Sequence, residues 1–346
     1  MTRTPMDTFR TGCVIPAHPL ALDANRRLDE RRQRALARYY LEAGAGGLAV
    51  GVHTTQFAIH DPKVGLLAPV LELAAGVAAE YARHTVLVAG VCGPTAQAVA
   101  EAELAASLGY HLVLLSPVGD ASEADLLQRA RAVGEVLPVM GFYLQPAVGG
   151  RILSRRFWTE LADIETVVGI KVAPFNRYRT LDVLHGVARS DRAGEIALYT
   201  GNDDHIITDL VTRHDIPVGG RRVVLEFVGG LLGQWAVWAR TAVRLHAEAA
   251  AARSGDDAAL RRLLSIDGRL TDANAAIFDV ANDFRGCIPG IHEVLRRQGL
   301  LAGVWCLDPD EVLSPGQAAA IDRVLARYPD LRDDDFVAAH LDRWLA

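Results

Sequence analysis

Along the chain, short apolar runs alternate with longer segments whose apolar positions recur every three or four residues. The first pattern is that of a buried strand, the second that of an amphipathic helix. Strand patterns occur at Cys13–Ala17, Gly47–Val52, Thr85–Val91, His111–Ser116, Pro138–Tyr143, Thr166–Ala173, Ile196–Thr200 and Arg222–Val228. Helical patterns lie between them, at Asp29–Ala43, Leu67–Arg83, Thr95–Leu108, Glu123–Val136, Ser154–Ala162, Thr180–Arg189 and Asp203–Arg213. Ser122 and Ser154 stand where an N-cap belongs, and Pro94-Thr95 opens another helix. Gly44 and Gly109 stand where a left-handed residue would end one.

Strands that alternate with helices imply a parallel sheet, and eight strands is the count that closes a barrel. The expected fold is α/β, a (β/α)8 TIM barrel. An open doubly wound sheet is the alternative, but Gly44-Ala45-Gly46-Gly47 precedes a strand instead of following one, so it is no nucleotide cradle. After Gly229 the pattern becomes helical, at Leu231–Ala252, Asp257–Ala281, Ile288–Gln298, Pro315–Ala326 and Asp333–Leu345. That tail is longer than one barrel helix. It predicts a barrel over residues 1–230, with a barrel-closing helix and C-terminal helical region over 231–346.

Composition excludes several functions. A net charge of -6 with no basic run leaves no electrostatic footprint for nucleic acid. Met1 to Arg10 lacks the apolar core of a signal peptide. The most apolar stretch, Val223 to Ala239, is broken by Glu226 and Gln234 and falls short of the ~20 residues of a membrane span. Cys13, Cys92, Cys287 and Cys306 show no zinc-like spacing, so free thiols in a reducing cytoplasm are expected, with no metal.

One count changes the picture. Of the 36 basic residues only Lys63 and Lys171 are lysines. A guanidinium is effectively never deprotonated, whereas an ε-amine can lose its proton and attack a carbonyl. Lys63 sits in a polar turn, His60-Asp61-Pro62-Lys63, but Lys171 lies within the apolar strand pattern Thr166–Ala173. Burial there disfavours the ammonium and favours a nucleophilic amine.

In barrel enzymes the chemistry gathers at the C-terminal strand ends. Those ends carry Pro16-Ala17-His18, His53-Thr54-Thr55-Gln56-Phe57, Ser116-Pro117, Tyr143-Leu144-Gln145-Pro146, Lys171 and Gly201-Asn202-Asp203-Asp204-His205. Tyr143 is a candidate proton shuttle, provided its hydroxyl reaches the reacting centre. Thr54 and Thr55 offer hydroxyls and N–H groups to a carboxylate, with His53 and Gln56 flanking them. Asp203-Asp204-His205 reads as a helix start. Glu226 is either a pocket acid or, on the other face, a partner of Arg221 or Arg222.

The order of these segments resembles the dihydrodipicolinate synthase / N-acetylneuraminate lyase family of class I aldolases. Gly47-Leu48-Ala49-Val50-Gly51 leads to Thr54-Thr55; Tyr143-Leu144-Gln145-Pro146 is followed by Gly169-Ile170-Lys171 and Tyr199-Thr200-Gly201-Asn202-Asp203. The resemblance spans nearly the whole chain. It implies an imine on Lys171, a proton relay at Tyr143, and Thr54-Thr55 holding a 2-oxo acid carboxylate. It also implies no cofactor and a homo-oligomer, tetramer or dimer. Two departures narrow it: Pro117 is followed by Val118-Gly119-Asp120 instead of a tyrosine pair, and Val148 stands where synthases carry an arginine, leaving Arg151 displaced. The expected activity is a Schiff-base lyase or aldolase on pyruvate or a related 2-oxo acid, and not a true dihydrodipicolinate synthase. A 2-oxo-3-deoxy sugar-acid dehydratase using the same imine and a non-catalytic ligand-binding barrel are the alternatives.

Overall fold

The structure is a computed structural model and describes residues 3–81, 84–117 and 119–346. In chain order the elements are α1 (Pro5–Thr11), β1 (Val14–Pro16), α2 (Glu30–Ala43), β2 (Gly47–Val50), α3 (Leu67–Ala79), β3 (Val86–Val91), α4 (Thr95–Ser107), β4 (Leu112–Leu115), α5 (Glu123–Gly134), β5 (Val139–Leu144), α6 (Arg155–Ala162), β6 (Val167–Ala173), α7 (Arg177–Val187), β7 (Ala197–Thr200) and α8 (Ile206–Val211). They continue with β8 (Arg213–Val218), β9 (Arg221–Leu232), α9 (Ala239–Arg253), α10 (Asp257–Ile277), α11 (Cys287–Arg297), α12 (Gln317–Arg327) and α13 (Asp334–Trp344). The expected end of the third helix at Arg83, and Val118 after β4, lie outside the described residues.

Local chemistry accounts for most boundaries. Ser122 and Ser154 accept the backbone N–H groups of Asp125 and Phe157 and so start α5 and α6, and Gly44, in the left-handed region, ends α2. Several boundaries differ from expectation, two of them by enough to change an element. The helix expected over Asp203–Arg213 is only Ile206–Val211, and Leu231 belongs to a strand, which runs to Leu232 and crosses the expected boundary at residue 230.

The eight parallel strands follow the order β1-β9-β7-β6-β5-β4-β3-β2. The two ends meet where Ala17 bridges Ala49 in parallel and the His18 N–H donates to the Ala49 carbonyl at 2.8 Å. This is a nearly closed (β/α)8 barrel with added C-terminal helices, not an open sheet. β8 was not foreseen: it pairs antiparallel with the first half of β9. The turn is Gly219-Gly220, both at positive φ, as a tight hairpin requires.

Strand alternation sorts side chains into two layers. Ile15, Ala49, Val88, Leu114, Phe142 and Tyr199 fill the barrel, while the larger core lies between strands and helices. α1 plugs the end opposite the strand C-termini: Phe9 stacks on Tyr199 with ring centroids 4.9 Å apart, and the Tyr199 hydroxyl donates to the Phe9 carbonyl at 2.7 Å. In the outer layer Trp158 of α6 is fully buried, stacked on Tyr143 and edge-on to Phe157. Trp158→Ala is expected to cost about 3–5 kcal/mol, read as a lower urea midpoint. A loss under ~1 kcal/mol would mean that the layer collapses into the space.

The C-terminal helices pack on this frame. α13 lies against α2, where Arg38 donates to the Trp344 carbonyl at 2.8 Å and Trp344 is buried. The start of α11 reaches the open mouth of the barrel. Among the described residues no helix is long and apolar enough to cross a membrane.

Candidate active site

β6 places Lys171 beside Phe142 of β5 and Tyr199 of β7. All three residues lie on the inward face. The Lys171 Nζ sits 4.4 Å from the centre of the Phe142 ring. Gly201 keeps this room open: a Cβ there would lie 2.7 Å from the Lys171 Cε and 2.7 Å from the Ala173 Cβ. The lysine faces a cavity of about 50 Å³, whose polar lining comes from His53, Thr54, Gln145, Lys171 and Asp203.

Electrostatics drive this lining towards neutrality. Burial lowers the pKa of Lys171 towards the free amine, and the nearby Asp203 charge opposes that shift. Burial likewise raises the Asp203 carboxyl, against the N–H of Gln234, which donates to its Oδ1 at 2.8 Å, and against the lysine charge. His53 is held neutral, its pKa lowered to about 4 by burial and then by Lys171. The Thr54 hydroxyl is buried without a hydrogen-bond partner, which leaves it free for a ligand.

The expected site residues separate. His53, Thr54 and Lys171 line one cavity. Thr55 holds the loop: its hydroxyl donates to the His18 carbonyl at 2.7 Å and accepts the N–H groups of Gly51 and Val52 at 3.0 and 3.2 Å. Gln56, at φ 69, accepts the Leu307 N–H on its Oε1 at 2.6 Å and ties the loop to the C-terminal region. Neither residue lines the cavity.

Tyr143 is displaced from its expected role. It pairs with Val172, one residue on from Phe142 and Lys171, so its ring leaves the opposite face of the sheet and stacks on Trp158 at 5.2 Å. Its hydroxyl lies near Leu153, Arg179 and Asp182 in the helix layer. Glu226 is no pocket acid either. It sits in the hairpin half of β9, 2.8 Å from Arg213 and 3.8 Å from Arg253; neither Arg221 nor Arg222 is its partner. Arg151 turns away to the carbonyls of Gly119 and Ala121.

The residue that the sequence undervalued is Asp203. Its place after β7 marked it as a strand-end residue, but its acids looked like those of a helix start. The structure instead bonds it across to Gln234 and sets it beside Lys171 in charge terms.

Comparison with solved structures supports the architecture. Dihydrodipicolinate synthase from Acinetobacter baumannii, crystallised with pyruvate, is 18% identical with a TM-score of 0.73, over 91% of this chain and 98% of that one. N-acetylneuraminate lyase from Fusobacterium nucleatum is 17% identical with a TM-score of 0.71, over 93% and 99%. Dihydrodipicolinate synthase from Oceanobacillus iheyensis is 17% identical with a TM-score of 0.71, over 92% and 97%. At such identities the likeness speaks for the fold. Comparison with curated proteins gives no match. The sequence model of the dihydrodipicolinate synthetase family, however, matches residues 11–220, more than half of the chain. The chain therefore belongs to the dihydrodipicolinate synthetase family and is an enzyme of its lyase class.

Proposed function

We propose that the protein is a Schiff-base lyase acting on pyruvate or a related 2-oxo acid, with Lys171 as its amine. The observation that carries this reading is a buried lysine, shifted towards its neutral form, facing a cavity beside an unpaired Thr54 hydroxyl. The amine adds to the 2-oxo carbon, and loss of water from the carbinolamine leaves an iminium. That iminium draws electrons from the neighbouring C–C or C–H bond, which permits cleavage in one direction and condensation in the other. The Thr54 hydroxyl donates to the substrate carboxylate in this reading, which its buried, unpaired state supports.

In this reading Asp203, and not Tyr143, moves the protons. Its raised pKa brings it towards the operating range of an acid–base catalyst, and it lines the cavity. The rest of the lining favours an apolar second substrate. Leu144, Val148, Phe175, Phe278, Phe284 and Ile291 form the wall, and no arginine lines it among the described residues. Phe175 and Phe284, at φ of 50° and 63°, set their rings edge to face at 5.7 Å. A second carboxylate finds no partner there, which argues against dihydrodipicolinate synthesis.

The test is reductive trapping. Pyruvate with borohydride is expected to add one reduced pyruvyl group to the peptide carrying Lys171, read by mass spectrometry. No adduct with pyruvate or with a panel of 2-oxo acids would sink the proposal. If the adduct forms, the same panel with apolar and with polyhydroxylated aldehydes reads out the second substrate.

A further inference from the structure

A second cluster of reactive side chains lies outside the lysine cavity. It joins three distant segments: His60, closing the turn Phe57–His60; Cys92, just after β3; and Glu101 of α4. One ligand atom from each, the imidazole nitrogen, the sulfur and a carboxylate oxygen, lies within 4.8 Å of the other two. The cluster is buried, with Cys92 as its least enclosed residue.

The hydrogen bonds around it resemble the outer shell of a metal site. The His60 Nε2 lies 2.8 Å from the Gly51 carbonyl, which only accepts, so Nε2 carries the proton. That leaves Nδ1 2.9 Å from Glu101 Oε2, without a hydrogen bond of usable geometry. Glu101 is itself oriented: Oε2 accepts the Cys92 N–H at 2.9 Å and Oε1 accepts the Gln97 amide at 2.8 Å. A ligating histidine that donates its other N–H to a backbone carbonyl, and a carboxylate held by hydrogen bonds, are the usual supports of a bound ion. In the metal-free chain a proton on Nδ1 pairs His60 with Glu101, and a cation bound among the three groups takes the place of that proton.

We infer that His60 Nδ1, Cys92 Sγ and a Glu101 carboxylate oxygen form a binding site for a divalent zinc-like cation. Nitrogen, sulfur and oxygen donors together suit zinc rather than magnesium or calcium. The thiolate and carboxylate balance the two charges of the ion, so no net charge is buried. Binding releases the Cys92 thiol proton and the His60 Nδ1 proton to solvent as the zinc–sulfur and zinc–nitrogen bonds form, and water completes the tetrahedron. Tetrahedral zinc needs ligand atoms roughly 3.3–3.7 Å apart, so the histidine–glutamate pair opens by a few tenths of an ångström. The ion would pin the loop that carries His53 and Thr54 to β3 and α4, and the inference does not depend on the imine chemistry.

The test uses the full chain, stripped with a chelator and titrated with cobalt(II), then zinc. One equivalent of cobalt with a thiolate-to-metal charge-transfer band, displaced by zinc, is expected. Cys92→Ser should remove the band, and Glu101→Gln should weaken zinc binding more than ~100-fold, while Cys287→Ser keeps both. Circular dichroism of each stripped variant confirms that it is folded, and Cys92→Asp serves if Cys92→Ser is not. Absence of stoichiometric uptake by the wild-type chain, or a band unchanged by Cys92→Ser, overturns the site.

Discussion

Lys171→Arg is expected to abolish the reduced pyruvate adduct and to lower turnover by on the order of 10⁴–10⁶, to background. The substitution keeps a cation at the position but removes the lone pair, because a guanidinium does not deprotonate. A merely structural lysine would tolerate the exchange or lose folding with it. Lys171→Met gives the complementary reading. It fills similar volume without burying an ionisable group, so the chain should be at least as stable while remaining unreactive. A variant of either kind that still forms the adduct would transfer the chemistry elsewhere.

Asp203→Asn should slow turnover by ~10²–10⁴, the usual contribution of a positioned acid or base. It should also move the pH dependence, with a sign that follows from the charges. Burial lowers the Lys171 pKa, and the Asp203 carboxylate partly restores it. Removing that charge lowers the lysine pKa further, so free amine persists to lower pH. The rising limb of adduct formation against pH therefore shifts towards acid, even as turnover falls. A slower enzyme with an unmoved limb would mean that Asp203 only shapes the loop through Gln234. Tyr143, stacked on Trp158 in the helix layer, is not expected to share this role.

The legible and illegible parts of the site divide along a physical line. Lys171 stood out because its surroundings in sequence were its surroundings in space: a run of β-branched residues is buried wherever the strand goes. Tyr143 sits in a strand just as plain to read, but which of two neighbouring residues faces inward depends on register. A shift of one residue exchanges the faces. The pairing of Phe142 with Lys171 decides it, and that pairing is made with another strand. The β8–β9 hairpin had a readable signal in Gly219-Gly220, but Asp215 and Pro217 are poor strand formers and weaken the strand pattern before it.

The fold class, the order of the eight barrel strands and the helices between them, and the placement of Lys171 in a buried strand were determined by the sequence itself. Periodicity, caps and burial are local properties, and short-range sterics and hydrophobicity enforce them. Only the tertiary structure decided that Thr55 and Gln56 hold the loop while Thr54 faces the cavity, and that Asp203 shares it with Lys171. It also decided that Glu226 lies in the hairpin with Arg213, and that His60, Cys92 and Glu101 converge. Each of these depends on contacts between segments far apart in the chain. Such contacts are set by strand register and loop packing, which carry no signature in residue spacing.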